Sequence, residues 1–289
     1  MKNNFTLKYT FLLFLVSMLV CGSSELIAQQ NIKYGMLTFN KAVNVSGKQR
    51  MLCQKMAKSY LYLVENPNDM NAKRDLLTSK IIFEKQNGII AQNSSYKLTK
   101  DRLAKVDGIW VSFKKLIESN PSYDNAKKII DLNTDLLKST NDVVSAVIME
   151  SKGVVQNDAN VLEDADSGES SLELKETINI AGRQRMLAQR LGLYYFANQS
   201  TLKDKNTEQM LKNVYHELDG AITMLLISDF NNSKIDEKLA IAMSKWEQIR
   251  NNQDKLMNQG FKSVEMYKIT NDLTKAFNAV TILYEKVKV

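Results

Sequence analysis

One segment of the chain occurs twice. Residues 44–56, NVSGKQRMLCQKM, return as residues 179–191, NIAGRQRMLAQRL, 135 positions later in a chain of 289 residues. The same spacing relates Tyr60 to Tyr195. Self-similarity at a fixed spacing indicates two copies of one folded unit, and this period is far longer than that of solenoid repeats. We therefore expect two tandem modules, each long enough to fold as a small domain, rather than two halves of one core.

The distribution of turn residues favours an all-α fold. Pro67 and Pro121 are the two prolines of the chain, and both stand among Asn and Ser residues typical of turns. Prolines confined to turns, with few alternating β-branched runs, favour helices. Four amphipathic helices per copy predict two tandem up-down four-helix bundles from an internal duplication. The predicted helices are 34–65, 70–93, 99–118 and 123–151, then 171–198, 203–229, 235–256 and 261–287.

The N-terminus has the order of a secretory signal peptide. Lysines precede the apolar run 11–21, which is shorter than a membrane span, and Ala28 ends a small-residue cleavage site. Residues 1–28 are therefore predicted to be a signal peptide, which implies a periplasmic or secreted protein. Lipidation at Cys21 is the alternative, although Val20 is unfavourable before an acylated cysteine. No later segment approaches the ~20 consecutive apolar residues of a membrane span.

Three further regions follow the predicted signal peptide. Residues 29–152 form the first predicted module and residues 172–289 the second. The stretch 153–171 is acidic and carries Gly168, which is typical of a linker.

The first predicted helix of each copy has apolar residues on two opposite sides. One side is an ordinary core stripe that includes Leu52 and Tyr60. The other side alternates apolar residues with Gly, Arg and Gln. Its members are Val43, Gly47, Arg50, Gln54 and Leu61 in the first copy, and Ile178, Gly182, Arg185, Gln189 and Phe196 in the second. Since a solitary bundle keeps the side opposite its core polar, this second face is predicted to be a contact surface.

The chemistry of this second face suits a small anion. Glycine inside a helix costs up to ~1 kcal/mol relative to alanine, so its recurrence at Gly47 and Gly182 indicates a close approach. Arg50 and Arg185 lie one turn further on, and a glutamine lies beyond each. The planar fork of arginine suits a flat oxyanion, and two facing cations repel each other unless a negative group lies between them. Two alternatives remain open at this point: carboxylate partners for the arginines, and glycines that only permit tight packing within each bundle.

The motif N-x-[SA]-G-x-Q-R-M-L-x-Q-[KR] resembles the signature of the PilJ/NarX-like N-terminal domain. That domain is the extracytoplasmic module of type IV pilus chemotaxis transducers and of nitrate/nitrite sensor histidine kinases. The resemblance covers essentially the whole chain after the signal peptide and implies four-helix modules. It also implies that the first helix carries an anion-binding box, in which its arginine meets the arginine of a partner subunit around nitrate. The implied ligand-binding residues are Arg50, Arg185, Gly47, Gly182, Gln54 and Gln189.

The sequence gives little support to a catalytic role. His216 is the sole histidine and has no counterpart in the first copy, which excludes a histidine-based triad and a multi-histidine metal site. No glycine-rich phosphate loop is found. We therefore predict a protein that is not an enzyme, with no catalytic residue, metal ion or cofactor. The formal net charge of +7 is mild and spread along the chain, which argues against a nucleic-acid partner.

The predicted function is an exported sensor or binding module for nitrate or nitrite. The anion would lie between first helices, either within one chain, across a homodimer, or at a helix-helix contact with another protein. A partner protein would transmit the signal. The alternative is a structural envelope or pilus-associated interaction protein without a small-molecule ligand. The chain departs from the sensor kinases in having two modules in tandem and no visible output domain.

Overall fold

The computed structural model describes residues 33–157 and 165–289. The predicted signal peptide 1–28 and the alternative lipidation site Cys21 lie outside these residues. Within the described part of the chain, no helix combines the length and the apolar character that crossing a membrane requires.

The described residues form a short hairpin followed by nine helices. The hairpin pairs β1 (Lys33–Tyr34) with β2 (Leu37–Thr38). The first copy contains α1 (Phe39–Glu65), α2 (Met70–Asn93), α3 (Lys97–Ile117) and α4 (Tyr123–Asn157). The second copy contains α5 (Ala165–Gln199), α6 (Lys205–Leu226), α7 (Ser233–Arg250), α8 (Gln253–Met257) and α9 (Ser263–Tyr284).

Each copy forms an up-down four-helix bundle, which confirms the predicted fold class. In the first bundle α1 packs against α2 and α4, and α3 packs mainly against α4. In the second bundle α5 packs in the same way against α6 and α9, and α7 packs mainly against α9. The short helix α8 precedes α9 and is an addition to the common pattern.

The first helix begins later than the sequence predicts. Tyr34 pairs with Leu37 in the hairpin, and Gly35 makes the turn with φ of 59°. The Tyr34 side chain is buried, and its hydroxyl donates to the Ile90 carbonyl at 3.1 Å, which ties the hairpin to α2. Thr38 then caps α1, since its hydroxyl accepts from the backbone N–H of Lys41 at 3.2 Å. The hairpin replaces the first residues of the predicted helix 34–65. Burial of the Tyr34 side chain stabilises the hairpin more than the helical sequence pattern stabilises a helix there.

The helices also extend into the stretch 153–171 that the sequence assigns to a linker. Helix α4 continues to Asn157 and α5 begins at Ala165. Gly153 lies inside α4. The Tyr96 hydroxyl lies only 2.9 Å from where a Cβ of this residue would stand. Close packing thus explains this glycine without a turn. The module boundaries 29–152 and 172–289 stay predictions.

The two bundles contact each other through their first helices, α1 and α5. The two helices run parallel, because Arg50 reaches Asn179 near one end and the Tyr62 ring packs on Phe196 near the other, with centroids 5.4 Å apart. Residues of both bundles join one continuous hydrophobic core. The modules are therefore distinct bundles with a shared buried interface, and this differs from the independent cores that we expected.

Candidate anion site at the first-helix interface

The predicted second faces of α1 and α5 meet each other within one chain. Arg50 donates to Asn179 of α5, and Arg185 donates to Asn44 of α1. Asn44 and Asn179 are the first residues of the duplicated segment, so the two contacts are related by an approximate twofold axis between the helices. Such a reciprocal contact has the form of a homodimer interface, built here from two copies in one chain.

The repeated glycines make room for both guanidinium groups. A Cβ at Gly47 would lie 3.3 Å from Nη2 of Arg50 and 3.9 Å from Nη2 of Arg185. A Cβ at Gly182 would lie 3.1 Å from Nη2 of Arg185 and 3.7 Å from Nη2 of Arg50. The two Nη2 atoms therefore lie within about 7 Å of each other, which is close enough for appreciable repulsion inside a protein.

Both arginines are buried, and no acidic side chain among the described residues pairs with them. Arg50 is 2% exposed and Arg185 is 1% exposed. Among the described residues, no Asp or Glu carboxylate forms an ion pair with either guanidinium. Buried charges normally occur with an opposite charge. The carboxylate partners that the sequence left open are thus not seen in this part of the molecule.

An asparagine of each fourth helix holds one guanidinium. Nη1 of Arg50 donates to Oδ1 of Asn141 on α4 at 2.9 Å. Nη1 of Arg185 donates to Oδ1 of Asn278 on α9, also at 2.9 Å. The matching distances show that each bundle positions its arginine in the same way. Neutral amide oxygens orient the guanidinium groups but do not neutralise them.

The remaining nitrogens are satisfied unequally. Nη2 of Arg50 donates to Oδ1 and the carbonyl of Asn179 at 2.8 and 3.2 Å. Nη2 of Arg185 makes only a long contact of 3.4 Å to the Asn44 carbonyl. Nε of Arg50 and Oδ1 of Asn44 are buried without a partner in the described structure. The site therefore retains one free donor, on Arg50, and one free acceptor, on Asn44, beside the two positive charges.

Burial lowers the pKa of both arginines, and neighbouring positive charges lower that of Arg50 further. Burial, and then the nearby charges of Arg185 and Arg183, lower the pKa of Arg50 to about 9. Burial lowers the pKa of Arg185 to about 10, and the carboxylate of Glu285 partly opposes that change. Glu285 is engaged elsewhere, since it accepts from Asn44 and forms an ion pair with Lys41 at 3.0 Å. Both guanidiniums remain positive at neutral pH.

The predicted glutamines lie apart from the arginine pair. Gln54 exchanges two hydrogen bonds with Asn133 on α4, at 3.0 and 3.1 Å. Gln189 donates to Thr274 on α9 at 2.7 Å and to Asn271 at 3.1 Å. Each amide thus joins a first helix to the fourth helix of its own bundle. The structure brings together Arg50, Arg185, Gly47 and Gly182, and does not bring the two glutamines to them.

The sequence analysis missed the asparagines at the site. Asn44 and Asn179 stand inside the duplicated segment, so they could have been identified from it. Asn141 and Asn278 are related by a spacing of 137 residues, close to that of the motif. Aligning the fourth helices of the two copies would have revealed this pair.

A buried lysine breaks the twofold relation. Lys58 of α1 is fully buried, and its Nζ donates to Asn271 at 2.9 Å and to Thr270 at 3.1 Å on α9. Its counterpart in the second copy is Leu193. Gly192 makes room for this side chain, since a Cβ there would lie 2.7 Å from Cδ of Lys58. Burial lowers the pKa of Lys58 well below its ordinary value.

A carboxylate lies near this lysine but bonds to other groups. Asp75 of α2 accepts from Lys55 at 2.8 Å, from the Tyr267 hydroxyl at 3.0 Å and from Asn271 at 3.1 Å. These bonds lower the pKa of Asp75 even though burial opposes the change. The cluster joins α1 and α2 of the first bundle to α9 of the second, and so fixes the relative position of the bundles.

The described residues offer no site for a metal ion. They contain no group of three or more His, Cys, Asp or Glu side chains placed to hold one. Cys53 is buried, and burial raises the pKa of its thiol to about 11, which keeps it in the unreactive protonated form.

Comparison with known proteins identifies the family. No curated protein and no solved structure matches the chain. A family model described as type IV pili methyl-accepting chemotaxis transducer N-term matches residues 37–132 and 169–270, which together are more than half of the chain. Each matched region contains one of the paired first helices, with Arg50 in the first and Arg185 in the second. The chain belongs to the PilJ family of type IV pili methyl-accepting chemotaxis transducer N-terminal domains, and it carries two copies in tandem.

Proposed function

We propose that this protein is a sensory module that holds one small oxyanion between Arg50 and Arg185 of the same chain. The observation that carries the proposal is the pair of buried guanidinium groups without an acidic partner among the described residues. Membership of a family of chemotaxis transducer N-terminal domains supports a sensory role. The anion itself is our inference from the chemistry of the pair.

The electrostatics of the pair favour an added negative charge. Two unit charges no more than about 7 Å apart repel by at least about 2 kcal/mol at an effective dielectric constant near 20. Burial adds a further cost, because both groups lose their hydration. An anion between them removes the repulsion and replaces lost hydration with charge-assisted hydrogen bonds. Binding and stability of the first-helix interface are therefore linked.

Nitrate and nitrite are the anions that we consider first. They are small and planar, so they match the flat fork of a guanidinium better than a tetrahedral ion does. The close packing at Gly47 and Gly182 also favours a small ligand. The resemblance to nitrate and nitrite sensors points to the same two ions.

The proposed signal is a change in the packing of α1 against α5. Neutralising the arginines shifts the balance between two arrangements of these helices, since a ligand stabilises whichever arrangement it binds better. A partner protein outside the bundle would respond to that shift. In this proposal the protein is exported and acts in the periplasm or outside the cell.

One observation favours a ligand-free alternative. The amide oxygens of Asn141, Asn179 and Asn278 already accept hydrogen bonds from the arginines. These bonds allow the interface to persist as a purely structural contact. The second candidate is therefore an envelope or pilus-associated interaction protein.

Thermal unfolding in different salts separates the two candidates. Nitrate or nitrite at constant ionic strength should raise the melting temperature above its value in chloride or sulfate. Binding at a hundredfold excess over Kd corresponds to about 2.7 kcal/mol. The double variant Arg50→Ala with Arg185→Ala should lose this rise, and the control Arg74→Ala, which removes an exposed charge on α2, should keep it. Equal melting temperatures in all four salts would favour the structural candidate.

A further inference from the structure

The solvent-facing side of α2 carries a line of large apolar side chains. Met70 is 68% exposed, and Leu77 and Ile81 are both 54% exposed. At about 3.6 residues per turn, these positions lie within about 40° of one another around the helix axis. They form one narrow stripe about 17 Å long, which we call the α2 stripe. Exposed apolar residues that are scattered singly need no explanation, but three in one line do.

The second copy shows that the fold does not require this stripe. Helices α2 and α6 are in register at a spacing of 135 residues, because the N-caps Asp69 and Asp204 correspond and so do the buried residues Phe83 and Leu218. At the positions of the stripe, α6 carries exposed polar residues: Lys205, Lys212 and His216. The stripe is therefore a property of the first copy alone, and a partner that covers it accounts for its apolar character.

The narrow width of the stripe favours a helix as that partner. Amphipathic helices that pack on a broad apolar surface present an apolar face about 100° wide or more. A stripe confined to positions a and d of a heptad is instead the seam between two packed helices. With Leu77 at d and Ile81 at a, Met70 also occupies a d position. Lys73 then occupies g and Lys85 occupies e, the two positions that flank such a seam.

Cations without a carboxylate partner surround the stripe. Lys73, Arg74 and Lys85 are exposed, and none of them forms an ion pair within the part of the chain that the structure describes. The acidic side chains of α2, Asp75 and Glu84, already pair with lysines of α1 and α3. Charges at e and g determine which helices pair. A second copy of this chain would present the same cations and be repelled, so the charges favour an acidic partner.

We propose that the α2 stripe docks an amphipathic helix of another protein, whose narrow apolar seam is flanked by Asp or Glu residues. The seam would pack on the stripe, and the carboxylates would pair with Lys73 and Lys85. Helix α2 packs against α1, so the bound helix would lie one helix away from the first-helix interface. This docking site does not depend on an anion between the arginines, and each proposal can fail without the other.

Fluorescence anisotropy with a labelled synthetic helix tests the proposal. The probe is a peptide of about three heptads with Leu at a and d and Glu at e and g, and the matched control peptide has Lys in place of every Glu. Like charges at e and g prevent each peptide from pairing with itself. The Glu peptide should bind about tenfold more tightly than the Lys peptide, because Lys73 and Lys85 attract the one and repel the other. Equal affinities, or no binding of the Glu peptide at about 1 mM protein, would overturn the proposal.

A double variant separates docking from general attraction to a basic protein. Leu77→Lys with Ile81→His copies the surface of α6 and adds positive charge, so unspecific attraction of the Glu peptide would rise. Docking should instead weaken at least about tenfold, because two apolar contacts are lost. The melting temperature should stay unchanged, since both side chains are exposed. The control Val111→Lys adds a charge on α3, where Val111 is 71% exposed, and should not weaken binding. Undiminished binding to the double variant would refute this site.

Reversing the flanking charges tests the choice of partner. Lys73→Glu with Lys85→Glu should make the Lys peptide the tighter ligand, and an unchanged preference for the Glu peptide would contradict the proposal. Light scattering and co-sedimentation with vesicles of anionic lipid test the other occupants. Self-association or vesicle binding that Leu77→Lys with Ile81→His abolishes would overturn the proposal in favour of a second copy or a membrane surface.

Discussion

The replacement of Arg50 by methionine distinguishes an anion site from a structural interface. Methionine fills a similar elongated space and carries no charge. In an ordinary buried ion pair, removing one partner leaves the other charge uncompensated and costs about 3–5 kcal/mol. Arg50 has no such partner among the described residues, so the expected cost in nitrate-free buffer is much smaller.

The magnitude follows from the surroundings of Arg50. Lowering its pKa from 12.5 to about 9 means that the folded protein destabilises the charged form of Arg50 by about 5 kcal/mol. Arg50→Met removes this cost but leaves Oδ1 of Asn141 and of Asn179 without their donor. Each unsatisfied buried acceptor costs about 1–3 kcal/mol. The two effects nearly cancel, and we expect a net change below ~2 kcal/mol.

Nitrate should make the unsubstituted protein more stable than the Arg50→Met variant. At a hundredfold excess over Kd it should stabilise the unsubstituted protein by about 2.7 kcal/mol, which is roughly 5–10 °C in melting temperature for a chain of this size. Arg50→Met should show no such rise.

Differential scanning calorimetry in a zwitterionic buffer, with chloride as the reference salt, measures both effects. Arg74→Met serves as the control because its side chain is exposed on α2 and its charge does not shift the pKa of Arg50 or Arg185. It should change stability by less than ~1 kcal/mol and keep the nitrate response. A loss of 3–5 kcal/mol in Arg50→Met that is the same with and without nitrate would refute the reasoning.

Three further predictions concern the same interface. Gly182→Ala should weaken the nitrate response in a thermal titration, because its Cβ would stand 3.1 Å from a guanidinium nitrogen. In the control Gly88→Ala, the new Cβ has nothing within 4 Å, so this variant should stabilise the protein by about 0.5–1 kcal/mol without altering the nitrate response. Nitrate affinity measured by calorimetric titration should fall about tenfold per pH unit once Arg50 loses its proton above about pH 9, and an affinity unchanged to about pH 11 would contradict this. The folded-state pKa of Lys58 is depressed, so between that pKa and about 10.5 the unfolded chain holds more protons than the folded one, and stability should increase as the pH rises. In urea unfolding, Lys58→Met should lack that part of the increase. Identical pH profiles for the two proteins would disprove this.

Much of the fold follows from the duplication and from helical periodicity. Both patterns depend on many residues, so local exceptions do not hide them. The second apolar face, with Gly47 and Arg50 on it, predicts a close helix contact because burying that face removes its apolar groups from water. The pairing of these helices within one chain is a property of the tertiary fold, and the motif alone is equally compatible with a dimer.

The element boundaries depend on single contacts that a sequence pattern does not contain. Tyr34 is buried against α2 and favours a hairpin where a helix was predicted. The predicted linker 153–171 is partly helical, and Gly153 at its start lies within α4 and accommodates the Tyr96 hydroxyl. At the site, Asn141 and Asn278 reach the arginines only because of the way the fourth helices are rotated. Lys58 has no counterpart in the second copy, so the duplication gave no reason to expect it at the interface.

The stoichiometry of nitrate binding distinguishes a site within one chain from a site between two chains. Isothermal titration calorimetry, combined with the molar mass in solution from light scattering, gives both quantities on the same sample. The account predicts one nitrate per monomeric chain, with Arg50 and Arg185 each required. One nitrate per two chains, two per chain, or no binding at all would contradict a single site built by the two first helices of one molecule.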